Sequence, residues 1–271
     1  MKKIFRFLYG LAGIYFFIGF GFYFFQEKLL FQPTQLKQEF VFPFSEEYTE
    51  RYFQTSTQAT IHALHFKVAA AKGLIFYLHG NADDLLRWGQ YAVDFTKHNY
   101  DVVMIDYRTF GKSTGAISQQ ADLEQDVNFI YRQLCKEYPE SEIILYGRSL
   151  GTGLATFLAS ENKPKLLILE TPYYEMKEVM NHFFPALPYD ILLRYPLKSH
   201  IYIRRVSCPV YIFHGTADET VPYGSGKKLA EAYLKEKNLA GTDFFFTIPE
   251  GKHKNLRDFK FYHNKLAEIL R

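Results

Sequence analysis

Six short, almost uniformly apolar runs recur along this chain of 271 residues, and stretches with helical periodicity lie between them. Strands that are apolar on both faces are typical of a parallel sheet covered by helices on both sides. The alternation therefore predicts an α/β fold with a mostly parallel central sheet and helices on both of its faces. The predicted strands are 74–79, 102–106, 143–146, 166–170, 210–214 and 244–248, and the predicted helices are 85–97, 121–137, 151–160, 226–237 and 255–270.

Two intervals depart from this alternation. Residues 39–66 alternate imperfectly, which favours antiparallel strands at the edge of the sheet. Residues 171–205 contain four prolines and lie between two predicted strands, where a simple crossover would need far fewer residues. We expect this second interval to form a small helical cap over the functional site.

A long uncharged stretch precedes the domain. Residues 7–25 contain nineteen residues without a charge, a length that suits a helix across the hydrocarbon core of a bilayer. A cleaved signal peptide is the alternative, but it usually has a shorter apolar region and a small-residue cleavage site. A buried core helix is less favoured, since such helices rarely stay uncharged on every face. We therefore expect residues 1–28 to form a transmembrane anchor and residues 29–271 to form the main domain.

Charges at the two ends of this stretch indicate its orientation. Lys2, Lys3 and Arg6 precede the apolar residues, whereas the mixed pair Glu27 and Lys28 follows them. Because basic residues flanking a span favour the cytoplasm, the pattern predicts a cytoplasmic N-terminus. We therefore expect a single-pass membrane protein whose main domain lies on the outer, periplasmic or extracytoplasmic side.

Charge and cysteine usage argue against two classes of partner. The chain carries 32 basic and 29 acidic residues, interspersed, for a net charge of +3. Nucleic-acid binding needs a concentrated positive field, so we do not expect a nucleic-acid partner. Cys135 and Cys208 have no CxxC or Cys–His neighbourhood, which argues against a metal or redox site. A disulfide between them is the less favoured alternative.

A GxSxG pentapeptide, GRSLG, is the first indication of chemistry. The pattern alone is weak, but the apolar run IILY leads into it and the helical stretch TGLATFLAS leads out of it. A nucleophile elbow requires this strand–turn–helix context, because the sharp turn puts the serine in a strained backbone and the flanking glycines avoid a clash. We predict that Ser149 is a catalytic nucleophile.

A serine hydroxyl needs a base to remove its proton, and the base needs a carboxylate to orient it. Asp218 and His253 each follow a predicted strand, so both should project from the carboxyl edge of the sheet, as Ser149 does. The chain order Ser, Asp, His is the order of α/β-hydrolases. We predict that Asp218 and His253 complete a catalytic triad.

Three neighbouring residues are rivals for these two roles. Glu219 is adjacent to Asp218 and carries the same kind of group. His214 and His263 are alternatives to His253 as the base. We expect His263 to be an ordinary residue of the last helix, and we expect His214, at the end of its strand, to support the Asp218 loop.

The second requirement of acyl transfer is a pair of backbone donors for the oxyanion. One should come from Leu150, the residue after the nucleophile, and the other from the loop HGNAD after the strand at 74–79. Gly80 permits a close approach of the backbone, which leaves Asn81 as the second donor. The alternative is that HGNAD is only a turn followed by an aspartate helix cap.

Two other motifs do not hold up. Gly111 begins a GKST sequence that looks like the end of a P-loop, but Asp106 stands where the first glycine of that motif belongs. His62 and His65 lie three apart in a predicted strand, which puts them on opposite faces and argues against joint metal binding.

Taken together, HGNAD, DYRTFGKS, GRSLG, HGTADETVP and GKHKN resemble the motifs of the α/β-hydrolase superfamily in their usual order. The apolar N-terminus, the LLFQP sequence and the HGN loop resemble a membrane-anchored group that includes eukaryotic protein depalmitoylases and uncharacterised bacterial members. This resemblance implies an acyl hydrolase of esters or thioesters and supports Ser149, Asp218 and His253 as the triad. Thr109 departs from the family pattern, because glycine is usual there, and it makes that loop stiffer.

We therefore expect a serine hydrolase that cleaves esters or thioesters of a small-molecule or lipid acyl substrate and needs no metal or organic cofactor. The main alternative within enzymes is a serine aminopeptidase-like peptidase, for which Glu170, Glu175 or Glu178 would bind the amino terminus of the substrate. The alternative outside enzymes is a membrane-tethered binding module without turnover. The sequence makes no prediction of oligomeric state.

Overall fold

A central eight-stranded sheet organises the protein in a computed structural model, which describes residues 2–238, 241 and 243–271. Position 1, where the predicted anchor begins, and positions 239, 240 and 242 lie outside the described residues. The strands are β1 (Gln32–Pro33), β2 (Tyr48–Ser56), β3 (Ala59–Phe66), β4 (Leu74–Leu78), β5 (Ala82–Asp83), β6 (Asp101–Ile105), β7 (Ile143–Arg148), β8 (Leu166–Glu170), β9 (Val210–Gly215) and β10 (Phe245–Ile248). The α-helices are α1 (Lys2–Leu30), α2 (Leu85–Trp88), α3 (Val93–Thr96), α4 (Gln120–Leu134), α5 (Leu150–Glu161), α6 (Met176–Phe183), α7 (Tyr189–Leu192), α8 (Ser199–Tyr202), α9 (Tyr223–Lys237) and α10 (Lys260–Ile269).

Six neighbouring strands of the large sheet run parallel, in the order β10-β9-β8-β7-β4-β6. At the far edge, β3 pairs antiparallel with β6 and β2 pairs antiparallel with β3. The predicted mostly parallel sheet with antiparallel edge strands is therefore confirmed. Because parallel strands end at the same edge, the loops after β4, β7, β9 and β10 meet there.

Helices cover both faces of the sheet, as predicted. Along β4, Leu74, Phe76 and Leu78 pack in a cluster with α4 and α5 on one face, whereas Ile75 and Tyr77 pack with α3 and α10 on the other. Full burial of such a side chain contributes about 1.5–3 kcal/mol. The uniformly apolar strands are therefore stable because each is enclosed between two helical layers.

Two predicted helices are interrupted. The stretch 85–97 consists of α2, a 3₁₀ turn and α3. Gly89 begins that turn and packs closely on Phe44, whose ring a Cβ atom at Gly89 would approach to 2.4 Å. The stretch 255–270 is interrupted at Phe259, whose extended backbone (φ −96°, ψ 125°) separates a 3₁₀ turn from α10. The break at Gly89 thus coincides with a contact to Phe44, a residue distant in the chain, and helical periodicity contains no information about such contacts.

The N-terminal helix α1 is long and apolar enough to cross a membrane. Most of its large apolar side chains are exposed, and Phe17 is 72% exposed. Its buried residues lie three or four positions apart and so form one stripe: Gly19, Phe22, Gln26 and Leu30. The rest of the helix surface offers apolar side chains to its surroundings, as a lipid-facing helix does.

A short strand joins α1 to the main domain. In β1, the Gln32 N–H donates to the Asn81 carbonyl at 2.8 Å, and the next hydrogen bond runs from the Thr34 N–H to the Asp83 carbonyl. The Thr34 carbonyl accepts from Gly111 at 2.8 Å. The segment after the helix therefore braces the loops that follow β4 and β6. Within the second loop, Thr109 has a φ of 72°, a backbone conformation that favours the glycine usual in the family.

Candidate active site

Ser149 occupies the sharp turn between β7 and α5. Its φ of 50° and ψ of −117° lie outside the regions that L-residues favour. Its N–H donates to the Glu170 carbonyl at 2.9 Å, and its carbonyl accepts from the Thr152 N–H at 2.9 Å. The neighbouring strand β8 and the first turn of α5 therefore hold this strained residue in place.

The two glycines of the pentapeptide allow the close packing of this turn. A Cβ atom at Gly147 would lie 2.6 Å from the Gly151 carbonyl oxygen. A Cβ atom at Gly151 would lie 2.0 Å from the Leu78 carbonyl oxygen, at the end of the adjacent strand β4. Larger residues at either position would push α5 away from the sheet and displace Ser149.

The structure brings the three predicted triad side chains together. The Ser149 hydroxyl lies 2.9 Å from His253 Nε2, and His253 Nδ1 lies 2.8 Å from Asp218 Oδ2. Because an ionised carboxylate only accepts hydrogen bonds, the Nδ1 atom carries the imidazole proton and Nε2 is free to accept one from Ser149. This is the geometry that a serine nucleophile and its general base require.

Asp218 is held as an anion by its surroundings. The N–H groups of Thr220 and Val221 donate to its Oδ1 atom at 2.9 and 2.8 Å. His214 Nε2 lies 3.4 Å from its Oδ2 atom, which also faces His253. Burial raises the pKa of Asp218, but the hydrogen bonds from His214 and His253 outweigh burial and place this pKa well below its usual value of 3.8.

The lowered pKa of Asp218 predicts a pH-dependent stability. A carboxyl whose pKa is lower in the folded protein stabilises it above the unfolded pKa, and this contribution is lost as the pH falls. We expect the thermal midpoint of the wild type to fall more between about pH 7 and about pH 3 than that of Asp218→Asn. Asp190→Asn, which removes an exposed carboxylate, is the control and should follow the wild type. Equal pH profiles for the wild type and Asp218→Asn would contradict the shift.

The rival residues lie elsewhere. Glu219 is exposed, and its backbone carbonyl pairs with His182 of the segment 171–205. His263 contacts the Arg257 carbonyl at 2.7 Å, in the last helix. His214 is buried behind Asp218, where it also contacts the Val221 carbonyl at 3.0 Å. None of these three residues takes the place of Asp218 or His253 in the hydrogen bonds that lead to Ser149.

Both predicted oxyanion donors border the same space as Ser149. Leu150 is the first residue of α5, so its N–H has no partner within the helix and points out of its N-terminus. Asn81 follows β4, and its carbonyl is occupied by the Gln32 N–H. This bond fixes the orientation of the Asn81 backbone. Both residues line the cavity that contains the Ser149 side chain.

That cavity has a volume of about 410 Å³. One wall comes from the segment 171–205, and a second wall comes from the end of the apolar helix through Leu29 and Leu30. The wall from the segment consists mainly of apolar side chains: Tyr173, Met176, Val179, Met180, Phe183 and Phe184. The segment thus lies over Ser149, where a cap was expected. We refer to residues 171–205 as the cap segment.

The site contains a buried ion pair that was not predicted from the sequence. Arg148 and Glu170 end the adjacent strands β7 and β8, are both buried, and approach to 3.3 Å. Arg148 also stacks on Tyr91 at 4.7 Å, and its Nη2 atom lies 3.4 Å from the His253 carbonyl. Opposite charges at the ends of two neighbouring apolar runs were a signal for this contact, because a buried charge needs a partner.

The contribution of the N-terminal helix to the cavity was also missed. Leu29, Leu30 and Gln32 line the space that leads to Ser149. The apolar stretch was predicted to be separate from the domain, since periodicity does not report which surfaces meet. Only the folded chain places the end of α1 beside the site.

The sequence argued against a shared metal site at His62 and His65 and against a disulfide between Cys135 and Cys208. His62 Nε2 lies 2.9 Å from Glu50, whereas His65 Nε2 lies 3.0 Å from the Tyr138 hydroxyl, so the two histidines do not share a ligand position. Cys135 and Cys208 are both free thiols.

The sheet order, the turn at Ser149 and the position of the site at the carboxyl edge define the α/β-hydrolase class of protein. The comparisons with known proteins support the same fold and superfamily, as the motifs predicted. The family described as serine aminopeptidase, S33, matches residues 69–200, which include Ser149 but neither Asp218 nor His253.

Curated relatives and solved structures give two further likenesses. The lysophosphatidylserine lipase ABHD12 of Danio rerio is 31% identical over 227 residues, which cover 73% of this chain and 58% of that protein. The chain spans only about half the length of such relatives, for example 46% of the Mus musculus lipase. An esterase of Pyrococcus furiosus has a TM-score of 0.71 at 17% identity and covers 89% of this chain and 97% of its own. A Vibrio vulnificus α/β-hydrolase has a TM-score of 0.62 at 16% identity, covering 82% and 81%.

The predicted fold and superfamily are confirmed. The name of the lipase from Danio rerio agrees with the expectation of an ester hydrolase. None of the proteins just named is called a depalmitoylase. The narrower resemblance to that group therefore stays a prediction.

Proposed function

We propose that this protein is a membrane-anchored serine hydrolase that cleaves carboxylic ester or thioester bonds of lipid or acylated substrates. The observation that carries the proposal is the continuous hydrogen-bonded series from Ser149 through His253 to Asp218, at the base of a largely apolar cavity. A nucleophile and an acyl-binding surface thus lie side by side.

In the first step, His253 Nε2 removes the Ser149 hydroxyl proton while the serine oxygen attacks the carbonyl carbon of the substrate. Asp218 holds the imidazole in the required tautomer and stabilises the imidazolium that forms. Because the pKa of Asp218 is lowered, this residue stays ionised at neutral pH. His253 then gives its proton to the departing alcohol or thiol, which leaves an acyl group on Ser149.

The negative charge of the tetrahedral intermediate needs donors that are already in place. We assign this role to the N–H groups of Leu150 and Asn81, whose backbones are oriented by α5 and by β1. Water then attacks the acyl-enzyme with His253 as the base, which releases the acid and restores Ser149. No step requires a metal or an organic cofactor.

The apolar walls of the cavity are suited to bind an acyl chain, which would be the part of the substrate that lies next to Ser149. Met176, Val179 and Met180 offer an adaptable apolar surface, and Leu30 faces the same space from the end of α1. Lys254 lines the cavity as well, as does Arg87, which pairs with Asp83, and both have the right charge for an anionic headgroup. This combination fits a lysophospholipid, the kind of lipid in the name of the relative from Danio rerio.

Membrane attachment through α1 would place this cavity next to its substrate. The helix is apolar and largely exposed, and the end that joins the domain lines the cavity. Lys2, Lys3 and Arg6 favour a cytoplasmic N-terminus, so the hydrolase domain, residues 29–271, would lie on the outer side of the membrane. Residues 1–28 are proposed as the anchor itself.

The site offers little support for the alternative of an aminopeptidase, which needs a free carboxylate to bind the amino terminus of its substrate. Glu170 is buried and paired with Arg148, and Glu178 is paired with Lys228. Among the described residues that line the cavity there is no carboxylate to bind a substrate ammonium group. A binding module without turnover gains no support either, because the proton-transfer geometry at Ser149 is complete.

The proposal is tested with p-nitrophenyl esters of graded chain length, a lysophospholipid and amino-acyl anilides. We expect ester hydrolysis with a KM that falls as the acyl chain lengthens, little anilide hydrolysis, and labelling of Ser149 by a fluorophosphonate. Val179→Phe, which fills part of the cavity, should shift the preference towards shorter acyl chains. The matched control Val93→Phe changes an exposed valine in α3 and should keep the wild-type preference. Preferential turnover of anilides, or a folded protein that the probe never labels, would overturn the proposal.

A further inference from the structure

The middle of the cap segment is an exposed apolar tip, which we define as residues 183–192 with the sequence FFPALPYDIL. Ile191 is 79% exposed, Phe184 is 52% exposed and Phe183 is 49% exposed. A soluble surface rarely leaves so many large apolar side chains together without a partner. The question is what covers this tip.

The N-terminal helix limits the answer, because it runs alongside the tip. The Tyr15 hydroxyl donates to the Ala186 carbonyl at 2.7 Å, the Phe22 ring lies 5.3 Å from the Tyr189 ring, and Gly19 packs against Leu192. Tyr15 and Phe22 are inside the uncharged stretch that is proposed to cross the membrane. The tip therefore contacts the anchor within its uncharged stretch as well as just after the end of that stretch, at Gln26.

The depth of this contact follows from helix geometry. Ten residues separate Phe25, the end of the uncharged stretch, from Tyr15. At about 1.5 Å per residue they span about 15 Å, half of a hydrocarbon core of about 30 Å. If α1 crosses a bilayer, the Ala186 end of the tip lies among the acyl chains. We propose that the tip inserts into the membrane leaflet next to the hydrolase domain, as a second membrane-binding element; this inference rests on the proposed anchoring by α1.

The backbone of the tip is suited to this environment. In lipid, an irregular backbone is stable only where its polar groups are satisfied by the protein. The Phe184 carbonyl accepts from the Tyr189 hydroxyl at 2.7 Å, and the Leu192 carbonyl accepts from the buried Gln26 amide at 2.9 Å. Two prolines within the tip have no N–H group to satisfy. Hydrogen bonds from the anchor thus replace those that water would otherwise make.

Charged residues mark where the insertion ends. Asp190 is exposed and pairs with Lys177 at 2.5 Å, and Arg194 pairs with Glu27 at 2.5 Å where α1 reaches the domain. Paired charges of this kind are stable at the level of the lipid headgroups. We therefore place both ion pairs in the headgroup region and the large apolar side chains of the tip beneath it.

Insertion of the tip has a consequence for substrate entry. Phe183 and Phe184 belong to the tip and also line the cavity of Ser149. A separate apolar groove of about 470 Å³ runs between α1 and the tip, from Ala12 to Leu192. Insertion of the tip therefore brings one wall of the Ser149 cavity to the leaflet, which lowers the exposure of an entering acyl chain to water.

The test uses the full chain in phosphatidylcholine vesicles, with Cys135→Ser and Cys208→Ala as the background. A single cysteine introduced by Ile191→Cys carries an environment-sensitive fluorophore, which is quenched either by nitroxides on lipid acyl chains or by aqueous iodide. The matched control is Ile201→Cys, since Ile201 is also exposed but lies in α8, which packs on α5 and α9. Phe16→Cys reports on the anchor. Fluorophosphonate labelling shows that each variant is folded.

We expect acyl-chain nitroxides to quench the label at position 191 several times more than the label at position 201, with the reverse order for iodide. If position 191 behaves like position 201 while the label at position 16 is quenched by lipid, the tip stays outside the bilayer and the inference is wrong, although the anchor stands. If the label at position 16 is also open to iodide, the anchoring proposal fails and the inference fails with it.

Discussion

Ser149→Ala should lower kcat for ester hydrolysis by about 10⁴- to 10⁶-fold and abolish labelling by a fluorophosphonate. The reason is that His253 then has no hydroxyl to deprotonate, and hydrolysis depends on water that nothing positions for direct attack. Binding and the oxyanion donors remain, so a small residual rate above the uncatalysed one is expected. The measurement is the initial rate with a p-nitrophenyl ester at saturating concentration, beside intact-protein mass spectrometry of the labelled enzyme.

A matched control lies in the same helix. Ser160, near the end of α5, donates its hydroxyl to the Phe157 carbonyl and is remote from the cavity. Ser160→Ala should retain the wild-type kcat and full labelling. A Ser149→Ala protein that keeps more than about a tenth of the wild-type rate would refute the assignment of the nucleophile.

Glu170→Gln should lower the free energy of unfolding by about 3–5 kcal/mol, because it leaves the buried Arg148 guanidinium without its counter-charge. In the wild type, burial lowers the pKa of Arg148, but the charge of Glu170 outweighs burial and raises it well above its usual value. The variant loses that charge, and because an arginine does not lose its proton in proteins, a buried positive charge remains without a counter-charge. For a domain of this size, such a loss lowers the thermal midpoint by about 10 °C. Since the Ser149 N–H is bonded to the Glu170 backbone, we also expect a lower kcat.

The control for this prediction is Glu161→Gln. Its carboxylate pairs with Arg205 at 2.8 Å on the surface, where both side chains are about half exposed and the pair is worth less than about 1 kcal/mol. A double variant with Arg148→Met should be less destabilised than the sum of the two single variants, since it removes both buried charges. Additive losses, or a Glu170→Gln protein as stable as the control, would show that the pair is not coupled.

Much of the fold was readable from apolar patterning. A strand buried on both faces must be apolar throughout, so six such runs predict six central strands. The first residue of each observed strand lies within one residue of the predicted first residue. Helix breaks were less readable. Phe44, which precedes Gly89 by 45 residues, packs on it, and helical periodicity contains no information about that contact.

For the candidate site, the positions of the side chains along the chain were predictable, but the distances between them were not. Ser149, Asp218 and His253 were readable because each follows an apolar run, and parallel strands bring their carboxyl ends to one edge. The 2.9 and 2.8 Å distances that join them, and with them the proton-transfer geometry, depend on strand register and on the turn at Ser149, which are properties of the folded sheet.

By itself, the sequence determined the parallel sheet, the position of the sharp strand–turn–helix at Ser149 and the presence of an apolar N-terminal helix, because all three are local patterns of residue type and spacing. Only the tertiary structure decided that Arg148 pairs with Glu170, that Leu29 and Leu30 form a wall of the cavity, and that the apolar tip lies along the helix within its span. These contacts join residues distant in the chain, and a one-dimensional pattern cannot specify which surfaces meet when burial is satisfied in three dimensions.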